Sequence, residues 1–174
     1  MENVSHDVHH PTGYASPLPY PEIQVTEKNR YYAELLMEDY AGVFSEFTAV
    51  SQYIYHDFVI KNKQREIAEM LKHIAVVEMK HMDKLAQAII LLGGNPIYRG
   101  CCINKKKCNF WNETFVYYGN NIYDQLKADL NSEYKAIESY RNHIEMIKDP
   151  YITALLERII LDEEVHIELF KGAI

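Results

Sequence analysis

The chain has 174 residues, 48% hydrophobic and 25% charged, with 7 Gly and 6 Pro; that length suits one domain burying roughly 70% of the surface its unfolded chain exposes, and the composition excludes a fibrous or disordered chain. A formal charge of −7, with no basic cluster beyond Lys105, Lys106 and Lys107, argues against nucleic acid as a partner. Met1 to Tyr20 lacks the basic start and apolar run of a leader, and no segment approaches the ~18 uncharged apolar residues of a membrane span, so a cytoplasmic location away from membrane is expected.

Residues 1 to 25 carry Pro11, Pro17, Pro19 and Pro21 with His6, His9 and His10, and show neither helical nor strand period. They are expected to form an extended tail, or a strap laid over a domain spanning 26–174. From Thr26 to Lys61 apolar residues recur at helical spacing with Gly42 as the lone glycine and no proline, which predicts one long helix. A second is predicted from Gln64 to Leu92, stopped by Gly93-Gly94-Asn95-Pro96.

Residues 95 to 119 lack sustained periodicity and read as a long connection, with Trp111 as its packing anchor. Cys101, Cys102 and Cys108 crowd into this stretch without forming paired CxxC knuckles, and free thiols in a reducing compartment are the expectation. A third helix is predicted from Asn121 to Ile147. Asp149-Pro150 then supplies an N-cap and a first-turn proline for a fourth, ending near Lys171. Helix, short turn, helix, long crossover, helix, short turn, helix describes an all-α four-helix bundle with one long crossover between helices 2 and 3.

An internal repeat carries the chemistry. Ser45-Glu46-Phe47 through Tyr53 to His56 aligns with Ser132-Glu133-Tyr134 through Tyr140 to His143, and Glu78-Met79-Lys80-His81 is matched by Glu163-Glu164-Val165-His166. Residues three or seven apart share a helix face, so each half presents Glu, Tyr and a Glu-x-x-His pair to one side. Four carboxylates meeting in an apolar core repel one another and lose hydration, and two divalent cations would cancel their charge. Glu46, Glu78, His81, Glu133, Glu163 and His166 are therefore the candidate metal ligands, with Glu46 and Glu133 expected to bridge or to complete the shells. His56 and His143 lie ten residues beyond the ligand glutamates and are expected to be satisfied core or interface histidines.

On these motifs the stretch from Asn29 to Phe170 resembles the ferritin-like superfamily of bacterioferritins, rubrerythrins and manganese catalases. The resemblance implies two iron ions, or alternatively two manganese ions, held by those six residues, with Tyr53 and Tyr140 hydrogen-bonding the carboxylates. It further implies reaction with O2 or H2O2 and a separate electron donor. Bacterioferritins place an Asp before both Glu-x-x-His pairs to orient a histidine; Asp162 keeps that place and Val77 does not, so asymmetric outer support is expected. Rubrerythrins carry an extra glutamate where Ala136 stands. Met79 falls where bacterioferritins ligate haem, but haem is not expected, and a homodimer is expected rather than a storage cage.

Overall fold

The computed structural model describes residues 13–103, 108–119 and 121–174. Five α-helices account for most of them: α1 Arg30–Ala41, α2 Glu46–Ile60, α3 Arg65–Leu91, α4 Ile122–Met146 and α5 Pro150–Ala173. The first predicted helix is thus divided in two, which corrects the expectation of one continuous helix over 26–61. The cause is local. Ser45, in extended backbone, accepts from the Thr48 N–H as N-cap of α2, and its hydroxyl donates to the Gly42 carbonyl at 2.9 Å, as does that of Thr48. Gly42 ends α1 against Glu38, where a Cβ would stand 2.5 Å from the Glu38 carbonyl oxygen.

α1 starts at Asn29, whose side chain caps the Tyr31 and Tyr32 N–H groups at 3.1 and 3.2 Å. α3 ends at Leu92 with Gly93 at a φ of 85°, the left-handed conformation a glycine adopts freely. Asp149 caps α5, with Pro150 in the first turn, and its second oxygen accepts from the Thr26 N–H at 2.6 Å, tying the segment ahead of α1 to the start of the last helix.

α2 packs chiefly on α3 and α4 on α5, with α1 against the C-terminal half of α3, so α1 and α2 together complete a four-helix bundle. Two apolar clusters fill it. One gathers Leu36, Leu85, Ile89, Leu156 and Ile159; the other gathers Tyr53, Leu71, Ile74, Leu126 and Phe170. On α3 the polar pair Glu78–His81 falls between the positions feeding the two clusters, and on α5 Glu163–His166 falls between Ile160 and Ile167 of the first cluster, ahead of Phe170 of the second. Among the described residues, no helix is long and apolar enough to cross a membrane.

The crossover from α3 to α4 is pinned rather than loose. Arg99 pairs with Phe110 in an isolated antiparallel bridge, and Trp111 donates its indole N–H to Thr48 at 2.9 Å with its ring 4.7 Å from Phe47. Within this loop Cys102 and Cys108 form a disulfide, a correction to the expectation of free thiols there. The two cysteines lie six positions apart, and spacing alone could not show whether they would pair. Lys105, Lys106 and Lys107, like His6, His9 and His10, lie outside the described residues.

Candidate metal centre

The six candidate ligands come from four helices and are all buried to 3% exposure or less. Glu46 opens α2, Glu78 and His81 are one turn apart on α3, Glu133 lies on α4, and Glu163 and His166 are one turn apart on α5. Their ligand atoms form two groups, Glu46–Glu78–His81–Glu163 and Glu78–Glu133–Glu163–His166, with all atoms of each group within 4.8 Å of one another.

The geometry separates the four glutamates into two kinds. The His81 Nδ1 atom lies 2.7 Å from Glu78 Oε2, 3.2 Å from Glu163 Oε1 and 3.4 Å from Glu46 Oε2. The His166 Nδ1 atom lies 3.0 Å from both Glu78 Oε1 and Glu163 Oε2 and 3.8 Å from Glu133 Oε2. Glu78 and Glu163 thus face both histidines with opposite oxygens, while Glu46 and Glu133 each belong to one group. Of the two roles expected of Glu46 and Glu133, bridging or completing the shells, this arrangement suits the second, and Glu78 and Glu163 are the residues common to both groups. Helical period fixes which face a residue occupies, not how far its carboxylate reaches across the bundle.

A metal fits this donor set. One imidazole Nδ1 carries at most one proton, so it cannot satisfy three carboxylate oxygens at once. Glu78 Oε1 and Glu163 Oε1 accordingly make no hydrogen bond of acceptable geometry, although buried and within 3.2 Å of a histidine nitrogen. One such oxygen beside each histidine, among converging carboxylates and an imidazole nitrogen, is what a divalent cation would take up.

Charge tells the same story. Burial, then the charges of Glu78 and Glu163, pushes the Glu46 carboxyl well above its ordinary range, and burial with the same two neighbours does so for Glu133. At Glu78 burial is outweighed by the charges and hydrogen bonds of His166 and His81, which hold it low. Both histidines are raised well above the ordinary value by their carboxylates despite burial. The cluster competes for protons because it concentrates negative charge in a dry core.

Around the six, the two halves cross over. Tyr53 of α2 donates to Glu133 of α4 at 2.5 Å, and Tyr140 of α4 donates to Glu46 of α2. Asp162, next to Glu163 on α5, contacts not its own motif's histidine but His81 of α3, at 3.0 Å from Nε2. Asp162 is held low, to about 2, because hydrogen bonds from His81, Tyr20 and Arg158 outweigh its burial. His166 has no carboxylate there, since Val77 occupies the corresponding position, and its Nε2 meets the backbone carbonyl of Tyr14 at 3.0 Å. That contact has no signature in the sequence, because a main-chain oxygen is supplied by any residue.

The two outlying histidines are satisfied by aspartates. His56 Nδ1 lies 2.9 Å from Asp129 and its Nε2 2.8 Å from the Tyr117 carbonyl; His143 Nδ1 lies 2.6 Å from Asp39. Met79 is exposed on α3. A cavity of about 10 Å³ beside Glu46, Glu78, Glu133 and Glu163 is walled by small residues including Ala49, Ser132 and Ala136, and has room for about one water-sized molecule.

A buried carboxylate–histidine cluster on four helices, with one long crossover, is the architecture of the ferritin-like proteins, and residues 43–174 match the family described as ferritin-like domain, to which the chain belongs. Among its relatives, a bacterioferritin of Mycobacterium leprae is 30% identical over 131 residues, 73% of this chain and 75% of that protein. A probable manganese catalase of Clostridium acetobutylicum is 23% identical over 169 residues, 88% of this chain and 74% of its own. The crystal structure of KatB, a manganese catalase from Anabaena PCC7120, superposes with a TM-score of 0.79 at 22% identity, covering 91% of this chain and 77% of the other, which shows the shared fold.

Proposed function

We propose that the chain is a di-metal oxidoreductase that holds two iron ions and reacts with O2 or H2O2, serving oxidative-stress defence or iron handling. The observation that carries this reading is the pair of overlapping four-residue groups sharing Glu78 and Glu163. Bound metal would supply the electrons and the Lewis acidity. The chain's own residues do the rest. His81 and His166 turn Nδ1 inward, Tyr53 and Tyr140 steady the outer carboxylates Glu133 and Glu46, and the buried walls exclude bulk water. A cavity of about 10 Å³ favours an oxidant of one or two heavy atoms over an organic substrate.

One observation favours a second reading, a dimanganese catalase. The match to the probable manganese catalase covers 88% of the chain, more than the 43–174 span of the family match can contain, so it takes in residues ahead of α2. Carboxylate-rich sites accept manganese and iron alike.

Metal analysis of protein from cells supplied with both metals, followed by assays with ferrous ion and peroxide, separates the readings. About two irons per chain, with ferrous oxidation or peroxide reduction falling by more than about 100-fold in Glu133→Ala, is the expected result. Two manganese with oxygen release from peroxide would establish the catalase. Metal content and ferrous oxidation unchanged in Glu133→Ala would overturn the site assignment, and a chain without metal would be a non-catalytic bundle.

A further inference from the structure

We propose that the extended segment ahead of α1, residues 13–20, is a working part of the metal centre: it fixes the outward nitrogens of both histidines by unlike acceptors and so makes the two metal positions unequal. The inference rests on the di-metal reading above.

The contacts are specific. His166 Nε2 lies 3.0 Å from the Tyr14 carbonyl oxygen, a group that only accepts, so that nitrogen keeps its proton, and Nδ1, facing Glu78, Glu133 and Glu163, is the one that would give up its own to donate to a metal. His81 Nε2 lies 3.0 Å from Asp162 Oδ2, and the segment holds that carboxylate in turn: the Ser16 N–H donates to Oδ1 at 2.7 Å and the Tyr20 hydroxyl donates to Oδ2. Arg158 closes the clamp, donating to Asp162 Oδ1 at 2.8 Å and to the carbonyls of Ser16 and Leu18 at 3.0 and 2.8 Å.

An ionised carboxylate pulls harder on an imidazole proton than a neutral carbonyl does, and so makes the other ring nitrogen a stronger donor to metal. The group containing His81 therefore binds its ion more tightly than the group containing His166. In the weaker group the outer partner is main chain, and what holds that main chain in place is a side chain: the Tyr14 ring stacks on His73 at 4.6 Å, with the planes 15° apart. His73 is exposed on α3 and touches none of the six ligands in the described contacts. Tyr14 and His73 are thus positioning residues for His166.

Calorimetric titration of the metal-stripped full chain with Mn(II) under anaerobic conditions tests this directly. The wild type is expected to bind two ions in two resolvable steps. Tyr14→Ala and His73→Ala should each weaken the second step by about 10-fold and leave the first within about twofold, Tyr14→Phe should keep both steps, and Asp162→Asn should weaken the first by about 10–100-fold. Circular dichroism melting confirms that each variant is folded. Both steps unchanged in Tyr14→Ala and His73→Ala, or both weakened equally, would overturn the proposal. A wild-type chain that binds no Mn(II) or Fe(II) would instead remove the di-metal reading on which it stands.

Discussion

Ser45 and Ser132 occupy the same place in the internal repeat, each just ahead of a ligand glutamate, yet they do different work. Ser132 sits inside the unbroken α4 and returns its hydroxyl to the Ala128 carbonyl at 3.1 Å. Ser45 stands outside α2 as its N-cap, with α1 ending four residues earlier at Ala41. The aspartates show how much chain the break absorbs: Asp129 precedes Glu133 by four residues, Asp39 precedes Glu46 by seven, and both still reach the histidine of the opposite half. The comparison teaches that the two-fold arrangement is preserved in side-chain contacts around the site, not in the backbone that delivers them. Three extra residues are taken up as a loop because a helix cannot absorb them without rotating its buried face by most of a turn.

Five substitutions, in three tests, put that comparison under strain. The largest effect is expected from the aspartates. Asp129→Ala leaves the fully buried His56 facing the Tyr117 carbonyl without its carboxylate, a loss of about 3–5 kcal/mol. Asp39→Ala uncovers a His143 that is 7% exposed, a loss nearer about 2 kcal/mol. Urea unfolding of both variants checks the order, and equal losses would mean the two halves are interchangeable.

Next come the serines. Ser45→Ala removes a cap and should destabilise by about 1–2 kcal/mol, whereas Ser132→Ala, inside a helix that prefers alanine, should be close to neutral. Matching losses in the two variants would show that the break between α1 and α2 does not persist in solution.

The smallest effect is the pH dependence that His143 adds. Burial alone would depress the His143 imidazolium, but the hydrogen bond and charge of Asp39 outweigh it and raise its pKa above 6.5. A raised histidine contributes stability that is complete below its unfolded value and is lost as pH rises through the folded one. His143 should therefore contribute on the order of 1 kcal/mol to the loss of stability between pH 6 and pH 9, alongside His81 and His166 in metal-free protein, and His143→Asn should remove that share alone.

Much of this was legible in the chain itself, and the exceptions share a physical cause. Gly93-Gly94-Asn95-Pro96 and Asp149-Pro150 mark real helix ends because they act through backbone conformation close at hand. The repeat of Glu, Tyr and Glu-x-x-His brought all six clustered residues into view, since helical period places them on facing surfaces. The division of the first helix stayed hidden because one glycine is tolerated in a helix and the Ser45 cap lies within an uninterrupted apolar period. Which glutamates are shared, and what meets His166 Nε2, depended on reach across the bundle and on a main-chain atom, neither of which residue type encodes. The disulfide depended on a loop path that spacing does not specify.

The bond between His166 and the Tyr14 carbonyl joins positions 152 residues apart. Both four-residue groups include Glu163, from the last helix. A chain emerging from the ribosome therefore cannot complete either group until α5 has been made and has docked, and the strap can close over His166 only after that. Contacts of such long sequence separation slow folding, because loop-closure entropy must be met before they form. Metal uptake would then mark the docking of α5: it would distinguish a chain with that helix in place from one without it, and iron or manganese retained on gel filtration would report that docking as well as occupancy.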